Sequence, residues 1–162
     1  TEVDTLSLHD ALPILQNLLP GEPYEIKHKT AYRVHERVAD KYVHGRVFLA
    51  GDAAHLNNPL GGMCMNGGIH DAINLTDKLT EVWRGAPVSL MDRYERQRRK
   101  VAIETVQAQA LRNRTVLNEK DPTKRDAYHD ELRQIVSDKV KHTDYVLKSS
   151  MIQSLRDLET VE

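Results

Sequence analysis

The spacing of hydrophobic and polar residues differs between the two parts of the chain, and the first part has the spacing of β-strands. Residues 24–38 alternate between apolar and polar side chains, which predicts a half-buried strand with a bend near Thr30. The consecutive apolar residues 47–50 end at Gly51 and predict a buried strand of a parallel sheet. Between these two segments, His44 and Gly45 predict a turn.

The second part has the spacing of helices, because its apolar residues recur every three or four positions. The first predicted helix begins near Met65 and ends at residues 83–85. A second, charged helix is predicted over residues 90–117 with Ser89 as its N-cap, and a third begins at Asp121-Pro122. A short last helix is predicted over residues 147–158. The apolar face of the first helix consists of Met65, Ile69, Ala72, Ile73, Thr76 and Leu79, and that of the third of Tyr128, Leu132, Ile135, Val136 and Val140.

The N-terminal segment differs in character from the rest of the chain. Residues 6–19 are mostly apolar and stop at Pro20-Gly21, a strong helix breaker. Residues 5–14 resemble a translated sequencing-adapter read, so residues 1–14 are expected to be a non-native leader. The alternative is a genuine helical turn capped by Ser7.

Composition restricts the classes of protein to which the chain can belong. Its 162 residues suffice for one domain with a real core, and 23 basic against 24 acidic side chains give a net charge of -1. This balance gives no electrostatic reason to expect nucleic acid or an anionic membrane as a partner. Cys64 is the single cysteine and cannot form an internal disulfide, and no apolar run is long enough to span a bilayer. We therefore expect a soluble, cytoplasmic domain.

Candidate chemistry is concentrated in residues 45–75. A predicted strand ends at Gly51 and places Asp52 at its carboxyl end, the edge at which open α/β sheets bind ligands. Four glycines follow, and their backbone can approach a ligand without a Cβ in the way: Gly61, Gly62, Gly67 and Gly68. The helix that begins near Met65 presents unpaired N–H groups and a partial positive charge. This arrangement predicts a site for a ligand with hydroxyls and a negatively charged group.

The same segment resembles a known family. The order G-R-V-F-L-A-G-D-A-A-H, then P-x-G-G, then M-N at a helix start is similar to the second FAD-binding motif of the flavoprotein aromatic hydroxylases. These are single-component FAD monooxygenases. The resemblance extends more weakly to residues 90–99 and to residues 32–38. It implies an α/β, Rossmann-like parent fold, of which this chain is a helix-dominated α+β part with a few strands on its N-terminal side.

The resemblance also implies a domain organisation and a function. Residues 15–44 would end the substrate-domain sheet, residues 45–85 would be the C-terminal part of the FAD-binding domain, and residues 86–162 would form a helical region packed on it. The implied reaction hydroxylates a small aromatic substrate with FAD, NAD(P)H and O2. The chain lacks the G-x-G-x-x-G turn that holds the FAD pyrophosphate, so we expect an incomplete, inactive cofactor site. Two alternatives are a helical binding module without redox activity and another flavin oxidoreductase of the same superfamily.

Roles for individual residues follow from the resemblance alone. Asp52 would bond the ribityl chain of FAD, the backbone at Met65 and Asn66 would face the pyrimidine end of the flavin, and Pro59 would lie beside the aromatic substrate. Cys64 departs from the family, which usually has glycine there, and a requirement for positive φ would make cysteine costly. The implied cofactor-binding residues are Gly51, Asp52, Pro59, Gly61, Gly62, Met63, Cys64, Met65 and Asn66.

Other interpretations of the polar residues are less favoured. A metal site could use Asp52, His55, His70 and Asp71, but their spacing matches no standard zinc pattern, and no metal is expected. Cys64 as a nucleophile would require an activating base that the sequence does not identify. The basic run at residues 93–100 contains the i, i+4 pairs Asp92/Arg96 and Glu95/Arg99, which favour a solvated helix face over a nucleic-acid site. The stripe of the third helix predicts core or a homodimer contact.

Overall fold

The computed structural model describes residues 11–28, 30 and 34–161, and the chain divides after His35 into two units. The first unit contains helix α1 (Ala11–Leu18), which is followed by a turn at Gly21, where φ is +76°. Ser7 lies outside the described residues. The strand predicted over residues 24–38 is wrong at residues 24–28, which are exposed and form no strand. Alternation stabilises a strand only when a neighbouring strand and a buried face are available, and these residues have neither within the described part of the chain.

The second unit contains two short antiparallel strand pairs, in which β1 pairs with β4 and β2 with β3. The prediction of a buried parallel strand at residues 47–50 is wrong, because only two of these residues form a strand and Val47 is 60 % exposed. Parallel pairing needs a crossover of a dozen or more residues, whereas the tight turn at Gly45 (φ +61°) brings the preceding strand into antiparallel register. The strands are β1 (Arg37–Val38), β2 (Val43–His44), β3 (Val47–Phe48) and β4 (His55–Leu56).

Helices make up most of the second unit, and those predicted from residue 64 to residue 118 are confirmed. The first predicted helix begins one residue early, and the second is continuous to Asn118 through a π-helical segment, Ala102–Gln107. The helices are α2 (Cys64–Trp83), α3 (Leu90–Val101), α4 (Ala108–Asn118), α5 (Pro122–Ser137), α6 (Lys139–Ser149) and α7 (Ile152–Leu158). The predicted helix-dominated fold with few strands is therefore confirmed. No helix within the described ranges is long and apolar enough to cross a membrane.

Asp121 and Ser89 occupy the predicted N-cap positions of α5 and α3, whereas the helix predicted over residues 147–158 is wrong in its bounds. Asp121 caps α5 as predicted, since its carboxylate accepts a hydrogen bond of 2.9 Å from Thr123 N. Ser89 makes no side-chain cap, although its carbonyl accepts from Asp92 N at 3.0 Å. The last predicted helix is interrupted at Met151, whose left-handed backbone (φ +64°) ends α6 and precedes α7.

The stripe predicted on the third helix is divided between α5 and α6, because Asp138 caps a new helix and places Val140 on it. Within the described chain neither helix has a buried residue, and Val136 and Val140 are 69 % and 79 % exposed. The stripe is therefore not part of the core of the second unit.

The core of the second unit consists of two clusters, and α3 contributes residues to both. One is formed by Tyr42, Ala54, Met91, Tyr94 and Ala102, with Phe48 and Leu49 packed against it. The other is formed by Met63, Val101, Val106, Met151 and Leu158. The first cluster therefore fixes the strands that lead to Gly51, and the second fixes the residue that precedes α2.

Helix α2 buries a polar face and exposes its apolar face. Met65, Ile69 and Ile73 are 73 %, 48 % and 55 % exposed, whereas Asp71 and Lys78 are buried. The reason lies in α3, on which α2 packs. The interpretation of residues 93–100 as a solvated face is wrong for three of them, since Tyr94, Gln97 and Arg98 are buried and two of these offer polar partners to α2.

Candidate functional site

A one-turn 3-10 helix, Gly51–Ala53, follows the extended residue Ala50. Gly51 adopts φ +59°, and its carbonyl accepts a 2.8 Å hydrogen bond from Ala54 N. The Gly51 N–H donates to Asp71 Oδ2 at 2.9 Å, which ties the turn to α2. Asp52 is exposed, and its carboxylate forms no hydrogen bond or ion pair with the described residues. The turn therefore presents a free carboxylate to solvent.

The loop at residues 57–63 is held by polar contacts at its base and is exposed at its tip. The buried Asn58 accepts from Leu60 N at 2.8 Å, and Asn113 Nδ2 on α4 donates to the Leu60 carbonyl at 3.3 Å. Pro59 and the two glycines that follow are exposed. Gly61 has φ +120°, and a Cβ there would lie 2.9 Å from Asn113 Nδ2, so a side chain fits this position poorly.

The first turn of α2 faces solvent without a cap. Met65 and Asn66 are exposed, and the first helical bond runs from Gly67 N to Met63 O at 2.8 Å. The N–H groups that precede Gly67 have no acceptor within the helix, and the first turn contains no acidic side chain. This end of the helix is therefore free to meet a negatively charged group.

Two of the proposed site residues, Met63 and Cys64, are less exposed than the others around them. The Met63 side chain is buried in the second core cluster, so its contribution to a site is limited to its backbone. Cys64 is half-buried in the first turn of α2, and within the described chain Met151 is the only non-glycine residue with positive φ. Cysteine at position 64 therefore introduces no backbone strain.

Burial, and next the nearby carboxylate of Asp52, raise the pKa of the Cys64 thiol above its ordinary value. We expect iodoacetamide to alkylate Cys64 more slowly than a free cysteine at pH 8, because only the thiolate reacts. Asp52→Asn should speed alkylation, because it removes a negative charge that disfavours the thiolate. Mass spectrometry over a pH series measures both rates, and Asp77→Asn, on the exposed side of α2, is the control. An unchanged rate in Asp52→Asn would contradict the proximity of the two groups.

Three buried ionisable side chains lie behind this exposed surface and form a network that we call the Asp71 network: His55 on β4, Asp71 on α2 and Arg98 on α3. The Asp71 carboxylate accepts from His55 Nε2 at 2.7 Å and from Arg98 Nε at 2.6 Å. Arg98 Nη2 also donates to the Gly67 carbonyl at 3.3 Å. All three side chains are at most 2 % exposed. The network therefore joins the turn, the strand and both helices.

The charge state of the network follows from its bonds. Burial raises the pKa of Asp71, but the hydrogen bond from His55 and the charge of Arg98 outweigh this effect and hold the pKa below its ordinary value. Asp71 is therefore ionised at neutral pH. Asn57 Nδ2 lies 3.1 Å from His55 Nδ1 and can only donate, so we assign the His55 proton to Nε2, facing Asp71.

The sequence interpretation missed this network. From the sequence, His55 and Asp71 were considered as metal ligands, an interpretation that was not favoured, and Arg98 was assigned to a solvated face. The structure brings no group of three or more metal-binding side chains together within its described ranges. The sequence does contain an indication that this face of α2 is buried against polar partners. Gly67, Asp71 and Lys78 lie on one face of α2 at helical spacing, and the two charged residues make that face polar.

The comparison of the sequence with protein families decides which family is present. The profile described as "FAD binding domain" matches residues 13–109, more than half of the chain. The chain belongs to the FAD-binding domain family. The resemblance inferred from the motif at residues 45–75 is thereby confirmed.

Curated relatives of this chain are named monooxygenases. Para-nitrophenol 4-monooxygenase of a Pseudomonas species is 44 % identical over 115 residues, which cover 68 % of this chain and 28 % of the relative. The 6-hydroxy-3-succinoylpyridine 3-monooxygenase of Pseudomonas putida is 37 % identical over 153 residues, which cover 92 % of this chain and 36 % of the relative. The chain therefore spans about a third of the length of these relatives.

Solved structures give the same family. The crystal structure of p-nitrophenol 4-monooxygenase from Pseudomonas putida DLL-E4 has a TM-score of 0.73 and 36 % identity, and the match covers 88 % of this chain and 38 % of that one. A ternary complex of aklavinone-11 hydroxylase with FAD and aklavinone has a TM-score of 0.55 and 37 % identity, with 65 % and 20 % covered. The fold of this chain is thus similar to part of these monooxygenase and hydroxylase structures.

Proposed function

We propose that this chain is the C-terminal part of a flavoprotein monooxygenase that hydroxylates a small aromatic substrate using NAD(P)H and O2. Family membership and the names of the relatives support this proposal. The observation that carries it is the exposed Asp52 carboxylate on a glycine turn in contact with the uncapped start of α2. Because the chain spans only a part of its relatives, the activity is proposed for the whole protein.

The residues present fit the flavin half of FAD. Asp52 would accept hydrogen bonds from ribityl hydroxyls, and the free amides at Met65 and Asn66 would stabilise negative charge on the pyrimidine end of the ring. Gly61 and Gly62 would let the loop backbone approach the ring, and Pro59 would lie beside the substrate. FAD, when bound, supplies the redox chemistry, while these residues bind and orient it. Gly51 and the backbone at Met63 and Cys64 complete the proposed contacts.

The pyrophosphate half of a FAD site has no counterpart in the chain, which contains no G-x-G-x-x-G motif. We therefore expect the 162-residue chain to bind FAD weakly or not at all by itself. A titration followed by flavin fluorescence and absorbance measures this directly. A sub-micromolar dissociation constant with a perturbed flavin spectrum would contradict the proposed division of the site.

Asp52→Ala tests the assigned contact in the flavoprotein encoded by the complete reading frame. Loss of hydrogen bonds to a charged group costs about 1.5–3 kcal/mol, so the Kd for FAD should rise by roughly 10- to 150-fold. Asp77→Ala, which removes an exposed carboxylate from the same helix as Met65 and Asn66, is the matched control and should leave the Kd unchanged. Equal effects of the two substitutions would exclude the proposed role of Asp52.

The proposal also covers the partners and location of the protein. The near-zero net charge supports a protein without a nucleic-acid partner, and the single cysteine supports a location in the cytoplasm.

The exposed Val136 and Val140 support a homodimer contact through α5 and α6. Size-exclusion chromatography with light scattering tests this last point, and a monomer at all concentrations would exclude it.

The exposed apolar face of α2 favours one alternative, a helical binding module without redox activity. The complete reading frame separates the two functions, because the monooxygenase requires an upstream pyrophosphate-binding domain and the module does not. Within enzymes, another flavin oxidoreductase of the same superfamily would share all of these features. Product analysis on the whole protein distinguishes hydroxylation from halogenation or dehydrogenation.

A further inference from the structure

We propose that His55, Asp71 and Arg98 are positioning residues that fix the Gly51–Ala53 turn against the start of α2 and thereby set the geometry of the flavin site. This inference rests on the proposed function, since it concerns the same site. None of the three side chains is exposed, so none would touch FAD. Their effect would be transmitted through the backbone atoms to which they bond.

The bonds of the network end on the backbone beside the proposed ligand-binding groups. Asp71 accepts from the N–H of Gly51, the residue before Asp52. Arg98 donates to the carbonyl of Gly67, the residue after Asn66. Asp52, Met65 and Asn66 are therefore each within one or two residues of a bonded backbone atom. A shift of the Asp71 carboxylate would move both sides of the site.

Backbone contact between the turn and the helix makes this geometry sensitive. A Cβ on Gly68 would lie 3.3 Å from the Cα of Gly51, and a Cβ on Gly51 would lie 3.8 Å from the Cα of Gly68. The contact at Gly68 is too close for a Cβ unless the neighbouring backbone shifts by a few tenths of an ångström, whereas glycine is favoured at position 51 by its positive φ rather than by lack of space. Since contact alone does not fix the angle between two smooth backbone surfaces, we infer that the directional hydrogen bonds accepted by Asp71 define it.

A stabilising role alone does not account for a charged network at this position. Buried ion pairs carry a desolvation cost that apolar side chains of similar volume avoid. The neighbouring core clusters show that this chain packs apolar residues elsewhere on α3. What the charged groups add is orientation, because carboxylate, imidazole and guanidinium bond in fixed directions.

The test uses the FAD-loaded flavoprotein encoded by the complete reading frame. His55→Ala should raise the Kd for FAD by about tenfold or more, which is the effect of removing the hydrogen-bond partners of ligand-binding residues in metal sites. It should also change the visible circular dichroism of the bound flavin. His55→Gln should restore both, since its Nε2 amide can donate to Asp71 in place of the imidazole. Arg98→Lys, which keeps the charge and loses the forked contact with Gly67, should resemble His55→Ala and serves where that variant does not fold.

Lys78→Met is the matched control. Lys78 is buried between the same two helices and bonds to Gln97 Oε1 at 2.8 Å and Asn74 Oδ1 at 2.9 Å, further along α2 from the site. The Lys78→Met substitution should lower the melting temperature while leaving the Kd for FAD and the flavin spectrum unchanged. If the Kd follows the melting temperature in all variants, or if His55→Ala and Arg98→Lys bind FAD as the wild type does, the positioning role is excluded. Absence of FAD binding by the wild type would exclude the proposed function itself.

Discussion

Replacing Asp71 with asparagine is expected to lower the free energy of unfolding of this chain by about 3–5 kcal/mol, the usual cost of breaking a buried ion pair. Arg98 is 1 % exposed and would keep its charge without a counterion. Its Nη1 already lacks a hydrogen-bond partner among the described residues, so no other acceptor is ready to compensate. Because the total stability of a domain is about 5–15 kcal/mol, this single change is a large part of it. Urea denaturation followed by far-UV circular dichroism measures the loss.

Asp77→Asn is the matched control for this substitution. It makes the same chemical change on the exposed side of the same helix and should alter stability by no more than about 0.5 kcal/mol. The pH dependence gives an independent check. A depressed pKa means that Asp71 contributes stability above the ordinary aspartate pKa and loses it as the pH falls through the lower, folded value. In Asp71→Asn, the free energy of unfolding should therefore fall less steeply as the pH decreases through the acidic range. An unchanged pH dependence would contradict the assigned charge state of Asp71.

Replacing Tyr94 with alanine is expected to cost about 3–5 kcal/mol, the range for removing a buried aromatic side chain. Tyr94 is fully buried in the first core cluster, and its ring lies 6.4 Å from that of Tyr42. Its hydroxyl donates to the carbonyl of Leu49, two residues before Gly51. The side chain thus joins the core to the segment that carries the candidate site.

Tyr94→Phe separates the two contributions. It keeps the ring and removes one hydrogen bond, so it should cost about 1 kcal/mol, or up to about 3 kcal/mol if the Leu49 carbonyl is left without a partner. Tyr145→Ala removes an equal ring from a position that is 39 % exposed and should cost clearly less than Tyr94→Ala. Thermal or urea denaturation of the three variants gives the comparison. Equal losses for Tyr94→Ala and Tyr145→Ala would show that the first cluster is not the principal core.

Features that depend on neighbouring residues in the sequence could be predicted. The cap at Asp121, the start of α2 and the exposed glycine loop follow from local chemistry: a carboxylate beside the free amide of Thr123, a helical repeat and residues without a Cβ. The family assignment was accessible for the same reason, since its motif lies within one continuous segment. Met65 and Asn66 fall at the helix start where the motif placed them.

Features that depend on distant partners could not be predicted. Residues 47–50 have the composition of a parallel strand, but composition does not supply the neighbouring strand, and Val47 pairs locally instead. The buried face of α2 is polar because Arg98 and Gln97 face it from α3, and a helical repeat read by itself assigns the apolar side inward. Asp71 and Arg98 are 27 positions apart in sequence, and only the folded chain shows that they form a pair.

Helix α3, the π-helical segment Ala102–Gln107 and α4 form one continuous helix. The number of residues between two positions in this helix therefore determines which way each side chain points. Arg98 lies before the segment and reaches α2, whereas Asn113 lies after it and reaches the Leu60 carbonyl of the glycine loop. One residue corresponds to about 100° of rotation around a helix. A π-helical turn contains about one residue more than an α-helical turn, so a one-residue deletion that converts the segment to regular α-helix would keep Asn113 facing the loop, whereas a deletion elsewhere between Arg98 and Asn113 would turn it away. In alignments of this family, a single gap at the π-helical segment is therefore compatible with unchanged support of the loop, whereas a single gap elsewhere between Arg98 and Asn113 marks a change in that support.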